Sequence, residues 1–157
     1  SKETAYKWVI ENLKKLGEYS GKKEKYIALE THDDYTNTYL VKEIMEKIDN
    51  QYVKVLWDVH HPYRVCQEKI EESWNNIGNY VIHTHFKDSY LDDSEKEGYK
   101  YCLLGKGDIP NKKAVQLLKE NNYKGYLSLE WEKAWHSYLP GPHQAFPQYV
   151  KTMNDYI

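Results

Sequence analysis

Cysteine is scarce in this chain: 157 residues contain only Cys66 and Cys102. They are too far apart for a CxxC pair, which excludes a cysteine zinc knuckle and fits a reducing cytoplasm. No apolar run approaches the length needed to cross a bilayer, and no signal peptide opens the chain, so no membrane partner is expected. No glycine-rich loop follows the first strand-like run, which argues against dinucleotide binding. There is no internal repeat and no low-complexity tract. An excess of one charge is also lacking. Twenty-two basic residues face twenty-four acidic ones, for a net charge of −2, so there is no electrostatic case for nucleic acid as a bulk partner.

What is present describes a globular domain. Hydrophobic residues make up 40% and charged residues 29%, enough apolar material at this length for a substantial core. Sixteen tyrosines and five tryptophans suit a polar-lined cleft, although abundance alone names no ligand.

Apolar spacing predicts a helix over Lys2–Tyr19, stopped by Gly21, then a short strand in YIALETH (Tyr26–His32). Helical spacing returns over Thr36–Asp49. The run YVKVLWDVHH reads as a second strand, and Val65–Ile77 as a helix stopped by Gly78. YVIHTHFKD is a third strand. Asn111–Asn121 is a helix opened by Pro110, GYLSLEWE a fourth strand, and Gln144–Tyr156 a closing helix. Strands alternating with helices at this spacing predict parallel strands with crossover helices, an α/β architecture. One irregular stretch, Ser89–Asp108, is long enough to be a lid or a binding loop.

Each of the four strands ends in ionisable residues. The first gives Glu30 and His32, the second Asp58, His60 and His61. The third gives His83, His85, Lys87 and Asp88, and the fourth Glu130 and Glu132. In parallel α/β folds the C-terminal strand ends gather where ligands bind. Three carboxylates and an imidazole around one point resist joint ionisation unless a cation sits among them. Mixed oxygen and single-nitrogen donors suit Mn²⁺, Mg²⁺ or Co²⁺ and also accept Zn²⁺.

The segments ALETHDD, LWDVHHPYR, VIHTHFKD, LLGKGDIP and YLSLEWEKAWH, in that order, resemble the C-terminal half of the xylose-isomerase-like (β/α)₈ barrels. That superfamily holds sugar and sugar-phosphate isomerases and epimerases, and endonucleases of the endonuclease IV type. The resemblance runs from about Tyr26 to the end and implies metal ligands at Glu30, Asp58, His85 and Glu130. It further implies that Glu30 and Glu130 exchange the substrate proton across a metal-stabilised enediolate, with His61 beside a sugar or sugar-phosphate substrate. Lys87 is a candidate substrate contact, since the arginine that the epimerases place after the metal histidine has no counterpart here. His83, on the same face as His85, is expected to hold the site in place. Glu132 shares a face with Glu130, and the family register favours Glu130 as the ligand.

Plainer readings apply to the remaining residues. His60 is expected to be packed or at the surface, His32, Asp33 and Asp34 to cap the helix that follows, and Trp131 and Trp135 to pack. The endonuclease reading, an apurinic-site phosphodiesterase, lacks its second Asp-x-His pair. An inositol-type dehydratase and a non-catalytic metal- or sugar-binding remnant remain as alternatives. A full barrel needs about 250 residues, so residues 1–157 are expected to form a single domain equal to half of one. Residues 1–20 would be a preceding helix and residues 26–157 four strand–helix units. Such a half is expected to be inactive alone and to self-associate as a homodimer that closes the barrel.

Overall fold

The computed structural model describes residues 2–157. Its main sheet has four strands in the order β1-β2-β3-β6, formed by Ile27–Glu30, Val53–Asp58, Val81–Phe86 and Leu127–Leu129. β1 pairs in parallel with β2, and β3 in parallel with β6. The fold is therefore α/β with a four-stranded parallel sheet, the strand number of half an eight-stranded barrel. The chain divides into two compact units, the first ending at His83 and the second running from Thr84 to Ile157, so the boundary falls within β3.

In the first unit, α1 (Lys2–Gly21) leads into β1, and α2 (Thr38–Ile48) returns the chain to β2. Asn37 starts α2 by accepting the Leu40 N–H at 3.1 Å, a standard use of a short polar side chain at a helix N-terminus. The buried positions Val41, Ile44, Met45 and Ile48 lie three or four residues apart and form one stripe. They are joined in the core by Val53, Val55 and Trp57 from alternate positions of β2. Each such side chain contributes about 1.5–3 kcal/mol of burial. The alternation matters for function: Trp57 turns to the apolar layer, so Leu56 and Asp58 turn to the opposite face.

The helix expected over Val65–Ile77 is instead two, α3 (His60–Cys66) and α4 (Ile70–Ile77). Gln67 takes a left-handed conformation (φ 58°) that ends α3. Glu68 then turns inward, where its carboxylate accepts the Thr38 N–H at 2.9 Å, the Thr38 hydroxyl and the Ser73 hydroxyl. A long-range polar demand thus overrides local helical spacing.

In the second unit, β3 leads to an antiparallel hairpin of β4 (Asp88–Leu91) and β5 (Tyr99–Cys102). The stretch read as irregular, Ser89–Asp108, therefore contains one strand and most of another. Gly98 (φ +76°) sits where the turn re-enters β5, a conformation that glycine adopts without strain. α5 (Asn111–Glu120) and α6 (Pro142–Tyr156) flank β6 in sequence. Phe86, Leu104, Val115, Leu118, Ala145 and Met153 supply the core.

Candidate functional site

In the first unit the residues at the ends of β1 and β2 are fixed by a register in which Glu30 pairs with Leu56. Paired residues of parallel strands face the same side, and so do residues two apart, which puts Glu30 and Asp58 on one face. Asp58 is fully buried. Its Oδ1 accepts the backbone N–H of His60 at 2.7 Å and of His61 at 3.2 Å, which fixes the direction of Oδ2. His61 Nε2 lies 3.7 Å from that Oδ2, and the His32 ring packs edge-on against His61 at 4.0 Å. His60 is packed, fully buried and 5.1 Å from His61. Asp58, His60 and His61 each offer a donor atom within 4.8 Å of the others. Thr31, unremarked in the sequence, completes the brace by hydrogen bonding both the N–H and the carbonyl of Asp58.

In the second unit the arrangement repeats. His85 pairs with Ser128, so Glu130, two residues further on, shares the face of His85 and stands one step beyond it. The same stagger separates Glu30 from Asp58. The Glu130 N–H continues the ladder to the Phe86 carbonyl at 3.0 Å. His85 Nδ1 lies 3.5 Å from Glu130 Oε2, with both side chains about three-quarters buried. Two donors on one cation at roughly 2.1 Å each lie about 3.0–3.4 Å apart for octahedral or tetrahedral angles. The pair, one imidazole and one carboxylate, fits such a cation. His83 is half-buried on the same face of β3 as His85.

Lys87 sits between carboxylates. Its Nζ is 2.6 Å from Glu130 Oε2 and 2.7 Å from Glu132 Oε1, and its side chain is 2% exposed. The Tyr101 ring from the hairpin lies 5.7 Å from the same ammonium. Burying an ammonium is costly unless it is paired, and two carboxylates and an aromatic face meet that cost.

Asp88, next in sequence, has a role that the sequence reading missed. Its carboxylate accepts backbone N–H groups from Ser89 (2.9 Å), Gly105 (2.7 Å), Gly107 (3.1 Å) and Ile109 (3.3 Å). Burial pushes its carboxyl above 3.8, and the four donors pull it only part of the way back. The available signal was Gly105-x-Gly107 downstream of an aspartate at a strand end. At Gly107 a Cβ would collide with the Asp88 carboxylate and the Ser89 carbonyl, so only glycine allows this approach.

Parallel strands whose C-terminal ends present carboxylates and imidazoles define a class, the βα-barrel proteins with a site at the strand ends. The chain belongs to the xylose isomerase-like TIM barrel family, whose profile it matches over residues 1–155. Among curated proteins it is 28% identical over 147 residues to an inosose dehydratase of Clostridium perfringens, an alignment covering 83% of this chain and 48% of that protein. The chain thus spans about half the length of the curated relatives it matches. Among solved structures it resembles an IOLI protein with a bound zinc atom (TM-score 0.75, 20% identity, 99% of this chain and 57% of that one). It also resembles the 3-keto-D-glucoside 4-epimerase YcjR of E. coli (TM-score 0.72, 15% identity, 99% and 54%). These two likenesses establish the fold. Among the described residues, no helix is long and apolar enough to cross a membrane.

Proposed function

We propose that this chain carries the metal site of a sugar or sugar-phosphate isomerase or epimerase, with Glu30, Asp58, His85 and Glu130 as ligands to one divalent cation. The observation that carries this reading is the repeated stagger, Glu30 with Asp58 and His85 with Glu130. Each pair shares a face at the C-terminal ends of parallel strands. Three carboxylates and one imidazole suit Mn²⁺, Mg²⁺ or Co²⁺, and Zn²⁺ is also accommodated. Bound there, such an ion would polarise the carbonyl and hydroxyl oxygens of a ketose and acidify the adjoining C–H. Glu30 and Glu130 would then remove and return the proton on opposite faces of that carbon. His61 stands beside the substrate, and Lys87 bears on it through the carboxylates it bridges.

A second reading, an inositol-type dehydratase, is supported by the curated relatives. It shares the first step, loss of a proton next to a ketone, and differs in its fate: the β-hydroxyl departs as water instead of the proton returning. A second copy of the chain is a further proposed partner. β1 and β6 are edge strands, and a twofold axis parallel to the strands would let each edge pair with the other copy's opposite edge. Sedimentation as a strict monomer would refute that pairing.

Native mass spectrometry with added Mn²⁺ tests the site. One ion per chain is expected in the wild type and none in His85→Ala or Glu130→Ala; an ion-free wild type sinks the reading. With the ion bound, ketoses and inososes incubated in D₂O separate the two chemistries. Deuterium entering the carbon next to the carbonyl without loss of water marks epimerisation or isomerisation. A conjugated, dehydrated product marks the dehydratase.

A further inference from the structure

We infer that Glu132 is a positioning residue that keeps Glu130 available to the cation by holding part of the Lys87 charge away from it. The inference rests on the metal reading above and deepens it. Lys87 Nζ divides itself almost equally, 2.6 Å to Glu130 and 2.7 Å to Glu132. At those separations in a half-buried setting the Coulomb attraction is strong, and loss of one of the two carboxylates would draw the ammonium towards the other. The Glu130 oxygen that takes the ammonium is the one 3.5 Å from His85 Nδ1, so full collapse of Lys87 onto Glu130 would oppose a cation bound by His85 and Glu130.

Glu132 is built to prevent that collapse. Its carbonyl accepts the N–H groups of Trp135 and His136, each at 3.0 Å, which fixes the loop that carries it. Its second carboxylate oxygen lies 3.9 Å from His136 Nε2, and the His136 ring packs on Tyr101 at 4.9 Å. Lys87 is anchored from its own side too, since Asn111 Nδ2 donates to the Lys87 carbonyl at 3.2 Å. The ammonium is therefore held between two carboxylates by backbone on both sides. In this inference Glu130 is the ligand and Glu132 the partner of Lys87 and His136.

The test is a double-mutant cycle read as Mn²⁺ affinity by calorimetry on the full chain. Glu132→Gln is expected to weaken Mn²⁺ by about tenfold, because more of the Lys87 charge then falls on Glu130. Adding Lys87→Met is expected to restore affinity to within about threefold of the wild type, since the ammonium no longer competes for Glu130. Lys87→Met alone is expected to bind Mn²⁺ at least as tightly as the wild type. A residue that merely supports the structure would give additive losses. Glu132→Asp, which shortens the reach by one methylene and keeps the charge, is expected to fall in between and serves if Glu132→Gln does not fold. An unchanged affinity in both Glu132 variants, or a double variant no tighter than Glu132→Gln, overturns the inference. If the wild type binds Mn²⁺ and loses it in His85→Ala, such a result sinks the positioning role alone. A wild type that binds no Mn²⁺ sinks both.

Discussion

Thr31 and Asp58 hydrogen bond to each other twice: the Thr31 hydroxyl accepts the Asp58 N–H at 2.9 Å and donates to the Asp58 carbonyl at 3.1 Å. Both residues are fully buried, so no water replaces a lost partner. Thr31→Val keeps the shape and removes the hydroxyl that bonds both backbone groups of Asp58, at about 1–3 kcal/mol. The urea midpoint should fall accordingly. Because the same exchange sets the Asp58 backbone, Mn²⁺ affinity should fall with it.

Asp88 gathers four backbone N–H groups spread over residues 89 to 109. Asp88→Asn turns one oxygen into an NH₂ that meets N–H donors head-on, and we expect a loss of about 2 kcal/mol. Gly107→Ala should produce a comparable loss by forcing a methyl into the same carboxylate. Thermal unfolding of the two variants checks this, and the pair combined should be less than additive.

The Asp88 carboxyl, raised above 3.8 by burial, also makes a pH prediction. A group whose folded pKa is raised gives stability that is complete below the unfolded value and is lost as pH rises through the folded one. The stability advantage of the wild type over Asp88→Asn should therefore shrink as pH is raised from about 3 towards neutrality. Urea titrations of both proteins across that range measure it; a widening gap would contradict the assignment.

Glu68 lies 5% exposed and joins Thr38, at the start of α2, to Ser73 on α4. Asn76 adds a bond to the Thr38 hydroxyl at 3.0 Å. Glu68→Ala leaves these donors unpaired inside the first unit, and we expect a loss of roughly 2–4 kcal/mol. The unfolding midpoint should drop while Mn²⁺ affinity, measured below the transition, changes little.

Removal of metal should be visible in stability itself. A cation that binds only the folded chain adds about 2.7 kcal/mol at a hundred times its dissociation constant. Chelation should reverse that gain in the wild type and do nothing in His85→Ala.

Strand positions were legible because runs such as YVKVLW are apolar and end abruptly in charge, and a parallel sheet needs both. The ionisable strand ends stood out for the same reason, and the family resemblance singled out Glu30, Asp58, His85 and Glu130 among them. The hairpin of β4 and β5 was not legible, since DSYL and YKYC are short and polar, and the Asp88 carboxylate that pins the chain beyond them draws its donors from residues up to twenty-one positions away. The break between α3 and α4 was hidden as well, because the groups that call Glu68 inward include Thr38, thirty residues earlier.

The sequence by itself determined the order of the four parallel strands and the chemistry at each strand end, because periodicity and residue type are local properties. Only the tertiary structure decided which oxygen meets which cation. Lys87 is a candidate substrate contact on its sequence, and its pairing with Glu130 and Glu132 arises from a β3–β6 register that joins residues more than forty positions apart. Charge pairing depends on distances of a few ångströms, and those are set by packing.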